Sequence, residues 1–281
     1  MQISKERCVG CANCTAVCPM GAIYIAADGL AEIDREACVE CHNCYRGMSF
    51  EHLPPEMVRA GRRLLSQVQL RFQPDPDVCP TEALVPEELE WPRIVRRAFS
   101  DPMVTHESTG VHGRGTEEVK TNDITNRIQQ GDAGFVVELG RPGIGVYFRD
   151  VQTVTKALAA AGAEFEAGNP VTGLMTDPGT GEIREDLHGE KVLSCIVELK
   201  AALDEVPGLL EVVEEVAKDF PSVISLGVST RTDANGEEEL QELLRSAGYD
   251  TWRAKVNLGM GRATSFPGSG PAGLEEQGVR P

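Results

Sequence analysis

Eight of the nine cysteines fall into two copies of one spacing, and a set of thiols that must converge restricts a fold more than any other feature of this chain. The first copy is Cys8-x2-Cys11-x2-Cys14-x3-Cys18-Pro19, unbroken. The second is Cys38-x2-Cys41-x2-Cys44, and its counterpart of Cys18-Pro19 is Cys79-Pro80, which arrives after 34 intervening residues. Two-residue gaps let the backbone wrap closely, so that three sulfurs reach three metal atoms, and the proline after the fourth cysteine turns the chain away. Four thiolates in this run hold a cubane iron–sulfur cluster. Zinc and disulfides are the competing readings. Structural zinc sites use two separated Cys-x2-Cys pairs rather than a triple at i, i+3, i+6. Disulfides belong to secreted chains, and Met1-Gln2-Ile3-Ser4-Lys5-Glu6-Arg7 is not an apolar signal segment. The ninth cysteine, Cys195, lies in the apolar run 192–197 and reads as a buried, inert thiol.

Residues 1–84 resemble a bacterial ferredoxin with two 4Fe–4S clusters, and the likeness extends past the cysteines. Each fourth cysteine opens a matching phrase, Cys18-Pro19-Met20-Gly21-Ala22-Ile23 and Cys79-Pro80-Thr81-Glu82-Ala83-Leu84. Between the runs, Tyr24 to Ile33 reads as two short strands around the turn Asp28-Gly29. The resemblance implies pseudo-twofold symmetry, with the fourth cysteine of each run serving the other run's cluster. One cluster would then take Cys8, Cys11, Cys14 and Cys79, and the other Cys38, Cys41, Cys44 and Cys18. The departure from the family pattern is the insertion 45–78. The repeated Cys-Pro-x-x-Ala phrase marks Cys79 as a ligand displaced by that insert. Without it, one site would hold three thiolates and suit a three-iron cluster or a water ligand.

Inside the insert, Pro54 and Pro55 precede apolar positions 57, 58, 61, 64, 65 and 68, the spacing of an amphipathic helix. Arg59, Arg62 and Arg63 share its polar face, where they would meet an acidic partner or solvate the helix. A second basic group, Arg93, Arg96 and Arg97, follows. Beside a cluster, either group would raise its potential by stabilising the more negative reduced state.

From about Asn122 the chain alternates strand-like and helix-like phrases. Residues 134–139 read as a strand, and 151–161 as a helix capped by Asp150 and stopped by Gly162. A short strand at 163–167, a strand at 191–199, a helix at 209–220 and a strand at 223–229 follow. A helix at 237–247 ends at Gly248, before a last strand at 251–258. The expected class is α+β: a two-cluster ferredoxin domain over 1–90 with a helical insert at 45–78, a linker at 91–121, an α/β sandwich of split βαβ type over 122–262, and a disordered tail at 263–281. The second strand–helix–strand unit has a weak resemblance, in element order and apolar spacing, to ACT-type ligand-binding domains.

Outside the cysteines, residues 106–123 mix glycines with His112, Arg114, Lys120 and carboxylates and lack apolar periodicity. Backbone amides there would approach an anion with Arg114 as clamp, or the segment is a polar linker. The turn Gly140-Arg141-Pro142-Gly143-Ile144-Gly145 carries the same two readings through Arg141.

The net charge of −17 sits mostly in residues 101–281, with 16 Lys/Arg against 30 Asp/Glu, which disfavours nucleic acid as a partner. No apolar stretch has the length needed to span a membrane. Thiolates and clusters favour a reducing compartment, the cytoplasm of an anaerobe. The leading expectation is an iron–sulfur electron-transfer protein that feeds a catalytic oxidoreductase partner. A self-contained reductase using the 106–123 loop, and a redox-linked regulator binding a small molecule through the ACT-like part, are the alternatives.

Overall fold

The duplicated cysteine runs are carried on a duplicated backbone. A computed structural model describes residues 1–48, 52–70, 78–104, 113 and 126–250. In its N-terminal part, β1 (Gln2–Ile3), α1 (Asn13–Val17) and β2 (Ile23–Ile25) are followed by the equivalent series β3 (Ala31–Ile33), α2 (Asn43–Arg46) and β4 (Leu84–Val85). The first strand of each half pairs antiparallel with the last strand of the other: Gln2 faces Val85, and Ile23 faces Ile33. Small details repeat with the same offset. Cys8 N–H donates to the Ser4 carbonyl at 2.9 Å and Cys38 N–H to that of Asp34 at 3.0 Å. Ser4 N–H donates to Ala83, and Asp34 N–H to Ala22, both at 2.8 Å.

The positive-φ residues repeat as well. Gly10 (+63°) and Ala12 (+68°) match Glu40 (+55°) and His42 (+58°), while Gly21 (+63°) matches Glu82 (+55°). A loop that turns around a central space needs left-handed residues at these points. Glycine reaches that region without a steric penalty, and the other residues occupy it at a cost.

Two compact units emerge, and neither is a single stretch of chain. The first is drawn from Met1–Arg114, Gly140–Arg149 and Glu185–Cys195; the second from Gly115–Leu139, Asp150–Arg184 and Ile196–Pro281. Besides the duplicated core, the first unit holds α3 (Pro55–Gln67) and α4 (Ile94–Ser100). α3 is the helix expected in the insert, with proline in its first turn and Glu56 at its positive end. Its orientation differs from the expectation. Val58 is buried beside half-buried Arg59, Arg62 and Leu65, whereas Met57, Arg63, Leu64 and Val68 are exposed, so two of the three arginines meet the protein. The physical reason is that unpaired loop carbonyls, described below, offer those guanidiniums partners. α4 lies where the sequence reading places a linker, and it packs Val95, Ala98 and Phe99 into the core. The Phe99 ring meets Phe148 edge to face at 5.3 Å between centroids.

In the second unit, β5 (Asp132–Leu139) sits in a four-stranded sheet. The order is completed by β7 (Glu164–Phe165), β11 (Cys195–Ala202) and β12 (Ile224–Thr230), arranged β12-β5-β11-β7. β12 is antiparallel to β5, from Ile224 opposite Leu139 to Thr230 opposite Ala133. α5 (Phe148–Ala160) runs from β6 (Val146–Tyr147) toward β7 and buries Val151, Val154 and Leu158. α6 (Val206–Ala217), between β11 and β12, buries Val206, Leu209, Leu210 and Val213. Both are single apolar stripes at helical spacing. Gly162, at φ +87°, ends α5 as the sequence suggests. A hairpin of β8 (Met175–Asp177) and β9 (Glu182–Ile183), and a last helix α7 (Leu240–Ser246), complete the unit.

The strand expected over 191–199 is two strands. β10 (Lys191–Val192) pairs with β6 in the first unit, and β11 joins the sheet of the second. Between them Leu193 N–H leaves the ladder and donates to Ser100 Oγ at 2.9 Å. The strand expected over 251–258 and the tail at 263–281 lie outside the described residues.

Gly181, at φ +69°, has no room for a side chain, since a Cβ would stand 2.3 Å from the Thr155 carbonyl oxygen. Gly208, inside α6, meets nothing within 4 Å. Gly181→Ala should therefore lower unfolding stability by about 1–3 kcal/mol, while Gly208→Ala should raise it by about 0.5–1 kcal/mol. Urea unfolding of the two variants checks the pair of signs.

Candidate metal centre

Each half of the duplicated core supplies three cysteines from one turn and a fourth from across the symmetry axis. Cys14 lies on α1 and Cys44 on α2, and each helix starts at a left-handed residue, Ala12 or His42. Cys18 caps the end of α1 in extended conformation, so its side chain leaves the helix axis.

Two cavities result. The first is lined by Cys8, Cys11, Cys14 and Cys79, with Ile3, Ala31 and Leu84 among its apolar wall residues. The second is lined by Cys18, Cys38, Cys41 and Cys44, with Ile23, Ile33 and His42. They are similar in size, about 310 and 350 Å³ with the open solvent at their mouths included. All eight sequence-predicted cysteines are thus divided four and four, and Cys79 reaches the first cavity despite the insert. Among the described residues, no three His, Cys, Asp or Glu side chains gather as ligands of one ion would. A lone zinc holds its sulfurs at about 2.3 Å from a common centre. A cubane instead gives each sulfur its own iron.

The walls suit an anionic cluster. Backbone N–H groups donate to sulfur at equivalent points: Ala22 to Cys18 at 3.3 Å and Ala83 to Cys79 at 3.1 Å. Ala31 N–H donates to Cys8 at 3.4 Å. Burial raises the Cys11 and Cys41 thiols, and backbone bonds from Asn13 and Asn43 oppose it, again in matching positions. Burial, followed by neighbouring cysteines, pushes the Cys14 and Cys44 thiols up to about 12. Both are therefore protonated at neutral pH in the metal-free protein, so bound iron must supply the charge that holds thiolates there.

The surroundings of the second cavity hold residues that cysteine spacing alone does not reveal. Glu40, two residues after Cys38, is wholly buried, and its carboxylate receives Arg93 at 2.7 Å and the Met1 amine at 2.5 Å. These partners outweigh burial and hold its pKa below the usual range. His42 is buried, with Nδ1 3.5 Å from Asp101 Oδ2. Burial, and then Arg97, lower its pKa to about 4, so the ring is neutral. Arg46 bonds Asp101 and also the Cys41 carbonyl at 2.7 Å. The signal available in sequence was the +30 offset, which sets Glu40 opposite Gly10 and His42 opposite Ala12.

Of the suggested anion-binding residues, His112, Arg114 and Lys120 lie outside the described residues. Arg141 is described, and its Nη1 donates to the Gly140 carbonyl at 2.9 Å. Its loop adjoins the Cys18 phrase, where Gly143 N–H donates to the Pro19 carbonyl at 2.6 Å. Cys195 is buried, as expected.

Residues 1–47 match the family model described as a 4Fe-4S dicluster domain. The matched stretch contains seven of the eight cavity cysteines and ends before Cys79. No curated protein and no solved structure matches the chain. The N-terminal segment is of ferredoxin type, and both its match and its cysteine-lined cavities support 4Fe–4S clusters and iron–sulfur electron transfer. No helix among the described residues is long and apolar enough to cross a membrane.

The raised thiols give a direct test. Anaerobic cluster loading should release protons and become more complete as pH rises from 6.5 to 8.5, because Cys14 and Cys44 must lose protons to bind. Loading measured in weakly buffered solution with a pH indicator checks this, and pH-independent loading without proton release contradicts it.

Proposed function

We propose that this chain is an electron-transfer component that relays electrons through two 4Fe–4S clusters to a catalytic oxidoreductase partner. The observation that carries the reading is the division of eight cysteines into two sets of four, each with three ligands from one half and one from the other. Cys8, Cys11, Cys14 and Cys79 would hold one cluster, and Cys38, Cys41, Cys44 and Cys18 the other.

A bound cubane supplies a one-electron store whose potential depends on charge, hydrogen bonding and exposure. The protein's part is to hold that store still. Ala22 and Ala83 donate to sulfur from the turns after Cys18 and Cys79, and Ile23, Ile33, Ala31 and Leu84 give the cavities apolar walls. Half-buried Cys11 and Cys41 leave each site near the surface, where an electron can enter or leave. Seven of the cysteines fall within 47 residues, so the two sites share one small core, which favours electron exchange between them.

The second unit supports a role beyond that of a free carrier, since such a carrier needs no attached sheet domain. Its strand order β12-β5-β11-β7, with α5 before β7 and α6 before β12, supports a split βαβ arrangement. That domain is the candidate surface for a protein partner. Eight thiols destined for clusters suit a reducing compartment, the cytoplasm of an anaerobe.

Material prepared anaerobically should carry about eight irons per chain, the content of two cubanes. Cys79→Ser should impair the cluster on Cys8, Cys11 and Cys14 while leaving the second, and Cys18→Ser should do the reverse. Iron analysis with paramagnetic resonance after dithionite checks both. A colourless, zinc-loaded protein overturns the reading.

A further inference from the structure

α3 and α4 stand outside the duplicated core and have little in common except one feature. Each brings two arginines three residues apart: Arg59 and Arg62 on α3, Arg93 and Arg96 at the start of α4. Arg59 donates to the carbonyls of Glu6 and Cys8, the latter at 3.1 Å, and Arg62 to the Gly10 carbonyl at 2.9 Å. Arg96 donates to the carbonyls of Glu36 at 2.9 Å and Cys38 at 3.0 Å, and Arg93 to the Glu40 carboxylate at 2.7 and 3.0 Å. Glu6, Cys8 and Gly10 correspond to Glu36, Cys38 and Glu40 under the duplication. Two unrelated helices therefore deliver guanidinium groups to the same places on both cysteine loops. A loop wrapped around a cluster turns its N–H groups inward and its carbonyls outward, and arginine's fork can gather two such carbonyls at once.

The two clamps differ in compensation. Among the described residues, neither Arg59 nor Arg62 has a carboxylate partner. At the second loop every bound arginine has one: Arg93 has buried Glu40, Arg96 has Glu190 at 2.5 Å, and Arg46 has Asp101. The wider surroundings keep positive charge at the second loop as well, because Arg97 and Arg46 share Asp101, and Arg35 shares Glu87 with the Met1 amine. Near the first loop Arg7 pairs with Glu82 at 2.6 Å, and Lys5 faces both Asp28 and Glu32.

Resting on the two-cluster reading, we propose that Arg59, Arg62, Arg93 and Arg96 are positioning residues that tether the two cysteine loops and set the two reduction potentials separately, the α3 pair acting on the site of Cys8, Cys11, Cys14 and Cys79 and the α4 pair on the other. Gaining an electron makes a site more negative, so a nearby uncompensated cation favours that state, whereas an arginine already neutralised by a carboxylate does so less. Outer groups that orient ligands commonly tune a metal site in this way.

Redox titration of the anaerobic holoprotein, followed by paramagnetic resonance, tests this on the full chain. Two waves should appear. Arg59→Gln with Arg62→Gln should shift one wave downward and leave the other in place, and Arg93→Gln with Arg96→Gln should shift the other wave downward. Because Arg96 is buried, Arg93→Gln alone serves if the double variant fails to fold. Arg59→Lys with Arg62→Lys retains charge without the fork, so it should keep the potential near wild type while hastening cluster loss to a chelator. Two intact clusters whose waves do not move, or α3 and α4 variants that move the same wave, overturn the inference and leave the two-cluster reading standing. Absence of iron and of any signal in the wild type overturns that reading itself.

Discussion

Everything in the N-terminal unit follows from a demand that thiols separated in sequence meet at two points. Three sulfurs of each set come from one turn, where short gaps make convergence cheap, but the fourth must arrive from the other half. A cluster held by that crossing set would tie the halves together more firmly than four very short strands could. β1 with β4 and β2 with β3 are pairs of two or three residues, and isolated ladders of that length are marginal. Met1, Ile23, Ala31, Ala83 and Leu84 pack against the cysteines in one small cluster of buried residues. A core this small would gain much of its stability from a bound cluster, as small metal-holding domains do.

The same geometry explains the chemistry at its edges. Inward N–H groups support sulfur charge, and the outward carbonyls left behind need donors. Helices that do not belong to the duplication meet that need with arginines. Glu40 shows how divergence was accommodated: it replaces the glycine of the first loop at a left-handed position and is wholly buried. A carboxylate there requires cationic partners, because an unpaired buried charge is costly. Arg93 provides one, which accounts for the approach of α4 to this loop.

Much of this was legible in the cysteine spacing, the Cys-Pro-x-x-Ala phrases and the Asp28-Gly29 turn, because each is local and each restricts the backbone directly. The helix in the insert was legible too, from its proline start and apolar period. Its facing was not. Apolar periodicity normally marks the buried side, and here hydrogen-bond demand from a neighbouring loop turned the helix so that Arg59 and Arg62 face inward with Val58, exposing Met57 and Leu64. The division of 191–199 into two strands depends on Ser100 capturing Leu193 N–H from far along the chain, which no local pattern encodes. α4 was hidden for a similar reason: its seven residues contain three charged or polar side chains, and Arg96 is buried only because loop carbonyls receive it. In the second unit, α5 and α6 declared themselves through their apolar stripes and terminal residues, whereas the β8–β9 hairpin is too short to show alternation.

The central claim is that iron occupies two separate places, each bounded by three cysteines of one half and one of the other. An anomalous difference map recorded at the iron absorption edge, from crystals grown without oxygen, locates those atoms directly. Two compact iron peaks are expected, one among Cys8, Cys11, Cys14 and Cys79 and one among Cys18, Cys38, Cys41 and Cys44. A single peak, peaks at the zinc edge instead, or a Cys79 sulfur remote from both iron sites would contradict the account.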